Sequence, residues 1–219
     1  MIGILDLQGG VVEHLGHFKR LGVPARRVKT LEELDTLTGL VLPGGESTCL
    51  GRLLRIFGLD AAIRRRAAAG LHMWGTCAGT ILLANEIEGE TPHLRLLDIT
   101  VRRNAFGSQL DSFNTVATVP EVAPKPVPLT FIRAPVITRV GPGVRVLLEV
   151  RGATAAVTAP GILATIFHPE LTPTLAFHAY FARQCGLTPL LPASGPTDPA
   201  WSPEAWTQLA PLPGPAASG

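Results

Sequence analysis

Short apolar runs alternate with amphipathic stretches through the first half of the chain. Ile2-Gly3-Ile4-Leu5-Asp6-Leu7 reads as a buried strand, and Val12 to Leu21 as a helix with Leu15, Phe18 and Leu21 at helical spacing. Pro24 to Val28 reads as a second strand, Leu31 to Leu37 as a short helix, and Leu40-Val41-Leu42 as a third strand stopped by Pro43-Gly44-Gly45. Ser47 or Thr48 then caps a helix running to about Phe57, and another helix spans Leu59 to Ala69. Leu71-His72-Met73-Trp74 is a fourth strand, followed by Gly75-Thr76-Cys77-Ala78-Gly79 and a helix from Thr80 to about Glu86. This βαβα rhythm predicts an α/β fold of three layers, a mostly parallel central sheet with helices on both faces.

The second half changes period. Leu97 to Val101, Leu129 to Ile132, Val136 to Arg139, Val144 to Val150, Ala153 to Ala159 and Ile162 to Ile166 read as strands. They predict a β-rich extension of the same sheet, closed by a helix from Leu175 to Cys185. The division expected is a domain over 1–187 and a Pro-rich tail over 188–219, extended or disordered. Trp201 and Trp206 are out of place in pure linker and predict that the tail docks on a surface. No internal repeat is present.

Composition narrows the function classes. Of 219 residues, 46% are hydrophobic and 16% charged, with a net charge of +2. Abundant apolar residues exclude disorder over most of the length, and the small charge gives no electrostatic case for nucleic acid. The longest uncharged run, Ala67 to Asn85, is interrupted by Gly70, His72, Gly75, Thr76 and Gly79, so it is a poor membrane span. No signal peptide is legible at the N-terminus. Three dispersed cysteines fit free thiols in a reducing cytoplasm. Cys49 and Cys185 read as packing residues, and Arg64 to Arg66 as a solvated helix face. His14 and His17 share a helix face but bring no further ligand, so no metal and no cofactor is expected.

Three motifs carry chemistry. Gly75-Thr76-Cys77-Ala78-Gly79 lies between a predicted strand and a predicted helix, the setting of a nucleophile elbow. The helix N-terminus favours negative charge on the Cys77 sulfur, and the Ala78 N–H faces the same space as an oxyanion donor. His168-Pro169-Glu170 supplies a base and an orienting carboxylate, brought together if the backbone there is extended. Pro43-Gly44-Gly45-Glu46-Ser47 opens backbone N–H groups at a helix start, a nest for an oxyanion. Taken singly, each has a plainer reading: a buried structural cysteine, a loop histidine, a strand-to-helix turn.

With these motifs in this order, the chain resembles the class I (triad) glutamine amidotransferases. Within them it is similar to the glutaminase subunits of two-component pyridoxal phosphate synthases. The supporting strings are Leu7-Gln8-Gly9 with Glu13-His14, Leu42-Pro43-Gly44-Gly45-Glu46-Ser47-Thr48, the Cys77 elbow, Arg103-Asn104-Ala105-Phe106-Gly107, Asp111-Ser112-Phe113, Phe131-Ile132-Arg133-Ala134-Pro135 and Phe167-His168-Pro169-Glu170-Leu171. They cover residues 1 to about 187. The resemblance implies a flavodoxin-like fold and a Cys77-His168-Glu170 triad. It implies glutamine held by Gly45, Glu46, Ser47, Arg103, Ile132 and Arg133, and an oxyanion held by Gly44, Gly45 and Ala78. As partner it implies the barrel-shaped subunit of the synthase, which receives the ammonia. The chain departs from the pattern at Thr80, where a larger apolar residue is expected, and in the tail. Service to another synthase, or a non-catalytic regulatory binder of the same fold, are the other readings the sequence leaves.

Overall fold

The computed structural model describes residues 1–103, 112–190 and 201–202. Expectations for 104–111, for Trp206 and for most of the tail lie outside the described residues. The apolar runs of the first half become the parallel part of the sheet: β1 (Ile2–Leu5), β2 (Ala25–Val28), β3 (Gly39–Leu42) and β4 (His72–Thr76). Every residue of β1 and β3 is buried, as expected of strands covered on both sides. Between them lie α1 (Val11–Arg20), α2 (Ser47–Ile56) and α3 (Leu59–Ala68); after β4 comes α4 (Ala78–Leu83). The reading of Leu31 to Leu37 as a helix shrinks to one 3-10 turn, Glu32–Leu34.

The expected helix from Thr80 to Glu86 is corrected. The chain leaves α4 at Leu83 and enters β5 (Ala84–Ile87) at once, pairing parallel with β6 (Leu97–Arg102). β9 (Val136–Val140), β10 (Arg145–Val150), β11 (Ala153–Ala159) and β12 (Ile162–Thr165) complete a sheet in the order β2-β1-β3-β4-β12-β11-β9-β6-β5, with β10 flanking β11. A second correction concerns Leu129 to Ile132. That segment falls in β8 (Val127–Phe131), which pairs with β7 (Phe113–Ala117) in a separate antiparallel hairpin rather than extending the sheet.

The result is the α/β class expected. α1 packs on the closing helix α5 (Ala176–Gln184), while α2 packs on α3 and α4. One contiguous apolar core joins the sheet to both helix groups, with Trp74, Phe18, Phe177 and Phe181 fully buried. Among the described residues no helix is long and apolar enough to cross a membrane. β3, β4 and β12 are parallel neighbours, registered Leu42 with Gly75 and Thr76 with Thr165. Their carboxyl ends therefore open on one edge, where such folds bind ligands. The described piece of the tail docks on the β7–β8 hairpin: Trp201 Nε1–H donates to Thr130 Oγ1 at 3.1 Å, and Asn114 donates to the Ser202 carbonyl at 2.8 Å.

Candidate active site

Cys77 sits between β4 and α4 with φ 47° and ψ −105°, a conformation L-residues rarely adopt. Its N–H donates to the Thr165 carbonyl at 2.8 Å, which ties the turn to β12. Gly79 is needed for close approach: a Cβ there would stand 1.9 Å from the Leu42 carbonyl oxygen. Thr80, the departure from the resemblance, places its hydroxyl 3.0 Å from the Gly75 carbonyl and 2.7 Å from that of Thr165. A hydroxyl thus bridges the strands at a fully buried position where apolar bulk was expected.

His168 follows β12. Its N–H donates to the Thr130 carbonyl of β8 at 2.8 Å, so the hairpin positions it. The extended backbone expected over His168 to Glu170 is not what brings the pair together. Pro169–Leu171 form a 3-10 turn, and within it Glu170 Oε1 reaches His168 Nδ1 at 2.8 Å. Burial works against a charge on His168, but hydrogen bonds to Cys77 and Glu170 and their negative charge outweigh it, pushing its pKa up to about 10. Burial likewise opposes ionisation of Glu170, 4% exposed; the facing His14 and the bonded His168 win and hold its pKa below the ordinary value.

Cys77 and His168 open into a cleft of about 370 Å³. Gly45, Glu46, Ser47, Arg103, Ile132 and Arg133 all line it, with Ala78; Ile81 and Pro135 were not anticipated. Gly44 and Glu170 are not among its lining residues. The Gly44 N–H, expected among oxyanion donors, donates instead to Thr76 Oγ1 at 3.0 Å. Glu46 is the N-cap of α2, accepting from the N–H groups of Thr48 and Cys49 at 3.0 and 2.7 Å. Arg103 bonds Glu46, Glu90 and Thr48. Arg133, at φ 46°, has no hydrogen-bond or ion-pair partner among the described residues. Cys49, read as a packing residue, is exposed, and Arg66 turns back to the carbonyls of Asp35 and Leu37 instead of facing solvent only.

The SNO glutamine amidotransferase family matches residues 4–187. The chain belongs to that family. This amidotransferase is 52% identical over 212 residues to the pyridoxal 5'-phosphate synthase subunit PdxT of Syntrophus aciditrophicus, covering 96% of this chain and 94% of that one. The similarity thus continues past residue 187 into the tail. It is 46% identical over 183 residues to the PdxT of Clostridium acetobutylicum, covering 83% and 98%. A solved glutamine amidotransferase superposes with TM-score 0.81 at 42% identity, over 85% of this chain and 99% of that one. The PurLQS structure from Thermotoga maritima, at 15% identity and TM-score 0.58 over 84% and 94%, shares the fold.

Several site residues of the amidotransferase carried no sequence signal. Glu90 meets Arg103 only because β5 and β6 end side by side. Gln8 accepts from the Glu46 N–H at 3.2 Å, and Thr76 holds Gly44. Gln8 belongs to one of the family strings, yet nothing local assigns it a role.

Proposed function

We propose that the chain hydrolyses L-glutamine to L-glutamate and ammonia and passes the ammonia to a pyridoxal 5'-phosphate synthase subunit. The observation that carries this is the cleft, which brings Cys77, a charged His168 and Arg133, unpartnered among the described residues, into one space inside a family of glutamine amidotransferases. The named PdxT relatives support the synthase as partner. The α-carboxylate of glutamine meets Arg133, and its α-ammonium meets Glu46, the carboxylate beside Arg103.

The Cys77 sulfur attacks the side-chain amide carbon, and the carbonyl electrons move onto oxygen. The Gly45 and Ala78 N–H groups face that oxygen; one such donor is worth about 10²–10³ in rate. His168 already carries a proton at neutral pH and gives it to the departing ammonia as the C–N bond breaks. The neutral imidazole then takes a proton from water, whose oxygen attacks the thioester carbon. Glutamate leaves as the C–S bond breaks, and the proton returns to the Cys77–His168 pair. Glu170 fixes the tautomer of His168 throughout.

We further propose a cytoplasmic setting, which the three free cysteines support. The catalytic unit ends near residue 187, and the tail is an appendage that folds back through Leu190, whose N–H donates to the Leu21 carbonyl at 2.8 Å, and Trp201. Cys77→Ser in the reconstituted complex is the test. It abolishes glutamine-dependent synthesis of pyridoxal phosphate and leaves ammonium-dependent synthesis intact. Glutamine turnover persisting in that variant removes the assignment.

A further inference from the structure

The reaction above leaves the buried histidines of α1 and α5 without a part. His14 is fully buried. Its Nε2 lies 3.5 Å from Glu170 Oε2 and 3.5 Å from Thr76 Oγ1. Among the described residues that carboxylate oxygen is buried with no hydrogen-bond partner, although its twin is bonded to His168. Thr76 is the residue that holds the Gly44 N–H. One imidazole edge therefore faces both the back of the triad and the anchor of the glycine loop.

One placement of the hydrogens suits these contacts. Nε2 faces two oxygens, one of them anionic, so it carries hydrogen. Nδ1 is then bare and accepts from His178 Nε2–H, 2.8 Å away on α5. That leaves His178 Nδ1 as a lone pair, and this is the buried ring nitrogen of the pair that has no partner. Trp74 packs edge-on against both rings, at 5.6 and 4.9 Å between centroids, and holds their planes. The charged or titratable groups facing His14 are Glu170 and His168 from the turn, His178 from α5, and His17 with Arg20 behind it on α1.

We propose that His14 is a positioning residue for glutamine hydrolysis: its Nε2–H steadies Glu170 from the side opposite His168 and, through Thr76, the Gly44 loop. The role rests on the triad reading given above. It commits the ring to one tautomer and makes His178 its partner across the core.

The test compares His14→Gln with His14→Leu in the chain assembled with its synthase subunit. Glutamine places an N–H₂ towards Glu170 and a carbonyl towards His178, so it keeps both polar roles; leucine keeps neither. His14→Gln is expected to retain kcat within about threefold of the parent. His14→Leu loses about 10- to 100-fold in kcat at unchanged KM, the scale of misplacing a catalytic group by about 1 Å. Its acid limb also moves to higher pH, because a carboxylate without its donor ionises less readily. Equal losses in both variants, or a leucine variant with the parental pH profile, overturn the proposal. Nitrogen-15 imidazole spectra of the unmodified protein give a reading that needs no variant. Hydrogen on His14 Nε2 supports the role, and a bare Nε2 overturns it even if His14→Leu does not fold. An unmodified complex that turns over no glutamine defeats the triad reading instead, and the spectra still decide the tautomer.

Discussion

Acidification from pH 6.5 to 4.5 will destabilise this protein, and the cause is a pair of uncharged histidines in its core. Burial outweighs every other influence on His14 and lowers its pKa from 6.5 to about 4; the same cause puts that of His178 well below 6.5. A histidine that resists protonation when folded takes up its proton on unfolding. Its contribution to stability is complete above the unfolded pKa and shrinks as pH falls towards the folded one. For His14 the full span is worth about 3 kcal/mol, at roughly 1.4 kcal/mol per unit. His178, whose pKa burial also holds well below the ordinary value, destabilises the folded state in the same direction as pH falls. His17, also lowered chiefly by burial, adds to the same slope. Glu170 acts below this range: its lowered pKa yields stability that is present above about pH 4.5 and lost beneath it. His168 has the opposite sign. Its raised pKa yields stability that is complete below pH 6.5 and lost as pH climbs towards about 10. Stability therefore peaks near pH 6.5. Urea unfolding followed by circular dichroism at half-unit steps measures the slope, and His178→Gln should reduce it. An unfolding free energy that is flat between pH 6.5 and 5 refutes the reasoning.

Two further outcomes follow from the site. Gly44→Ala places a Cβ 2.4 Å from His168 Cε1 and 3.0 Å from Nδ1, so kcat for glutamine falls by about 10²-fold or more while far-ultraviolet dichroism is unchanged; near-parental turnover means that the loop does not press on the base. Glu46→Ala removes the cap of α2 and costs about 1 kcal/mol, a drop in Tm of about 3 °C, together with a raised KM for glutamine. An unchanged Tm in that variant denies the capping role.

The centre of the parallel half was legible because β1 and β3 are short apolar runs, the second stopped by Pro43-Gly44-Gly45. Ala84–Ile87 was not, because Ile81 to Ala84 continues a helical apolar pattern and only pairing with β6 decides where the helix ends. The β7–β8 hairpin escaped for a related reason. Leu129 to Ile132 looks like any other strand locally, its partner Phe113–Ala117 was not read as a strand, and only their pairing sets the hairpin apart. At the site, the elbow and the His168–Glu170 pair stand together in sequence and could be read there. The extended backbone invoked for that pair gave way to a 3-10 turn with Pro169 at its start. Arg103's bonds to Glu46 and Glu90, and His14's approach to Glu170, join segments far apart in the chain, and no local pattern announces them.

Trp74 and Thr165, on the two strands that lead into Cys77 and His168, are bonded across 91 positions of sequence. A chain emerging from the ribosome N-terminus first completes the Cys77 turn long before the segment bearing His168 exists. Over the 91 positions from Cys77 to His168 the growing chain holds the thiol without the imidazole, beside a sheet whose middle strand is still missing. Insertion of β12 between β4 and β11 closes the sheet and brings His168 to the Cys77 turn in one event, before α5 covers that face. On the proposed mechanism ammonia release is thereby tied to the pairing of β12, and a chain cut short before Ile162 is expected to be inert.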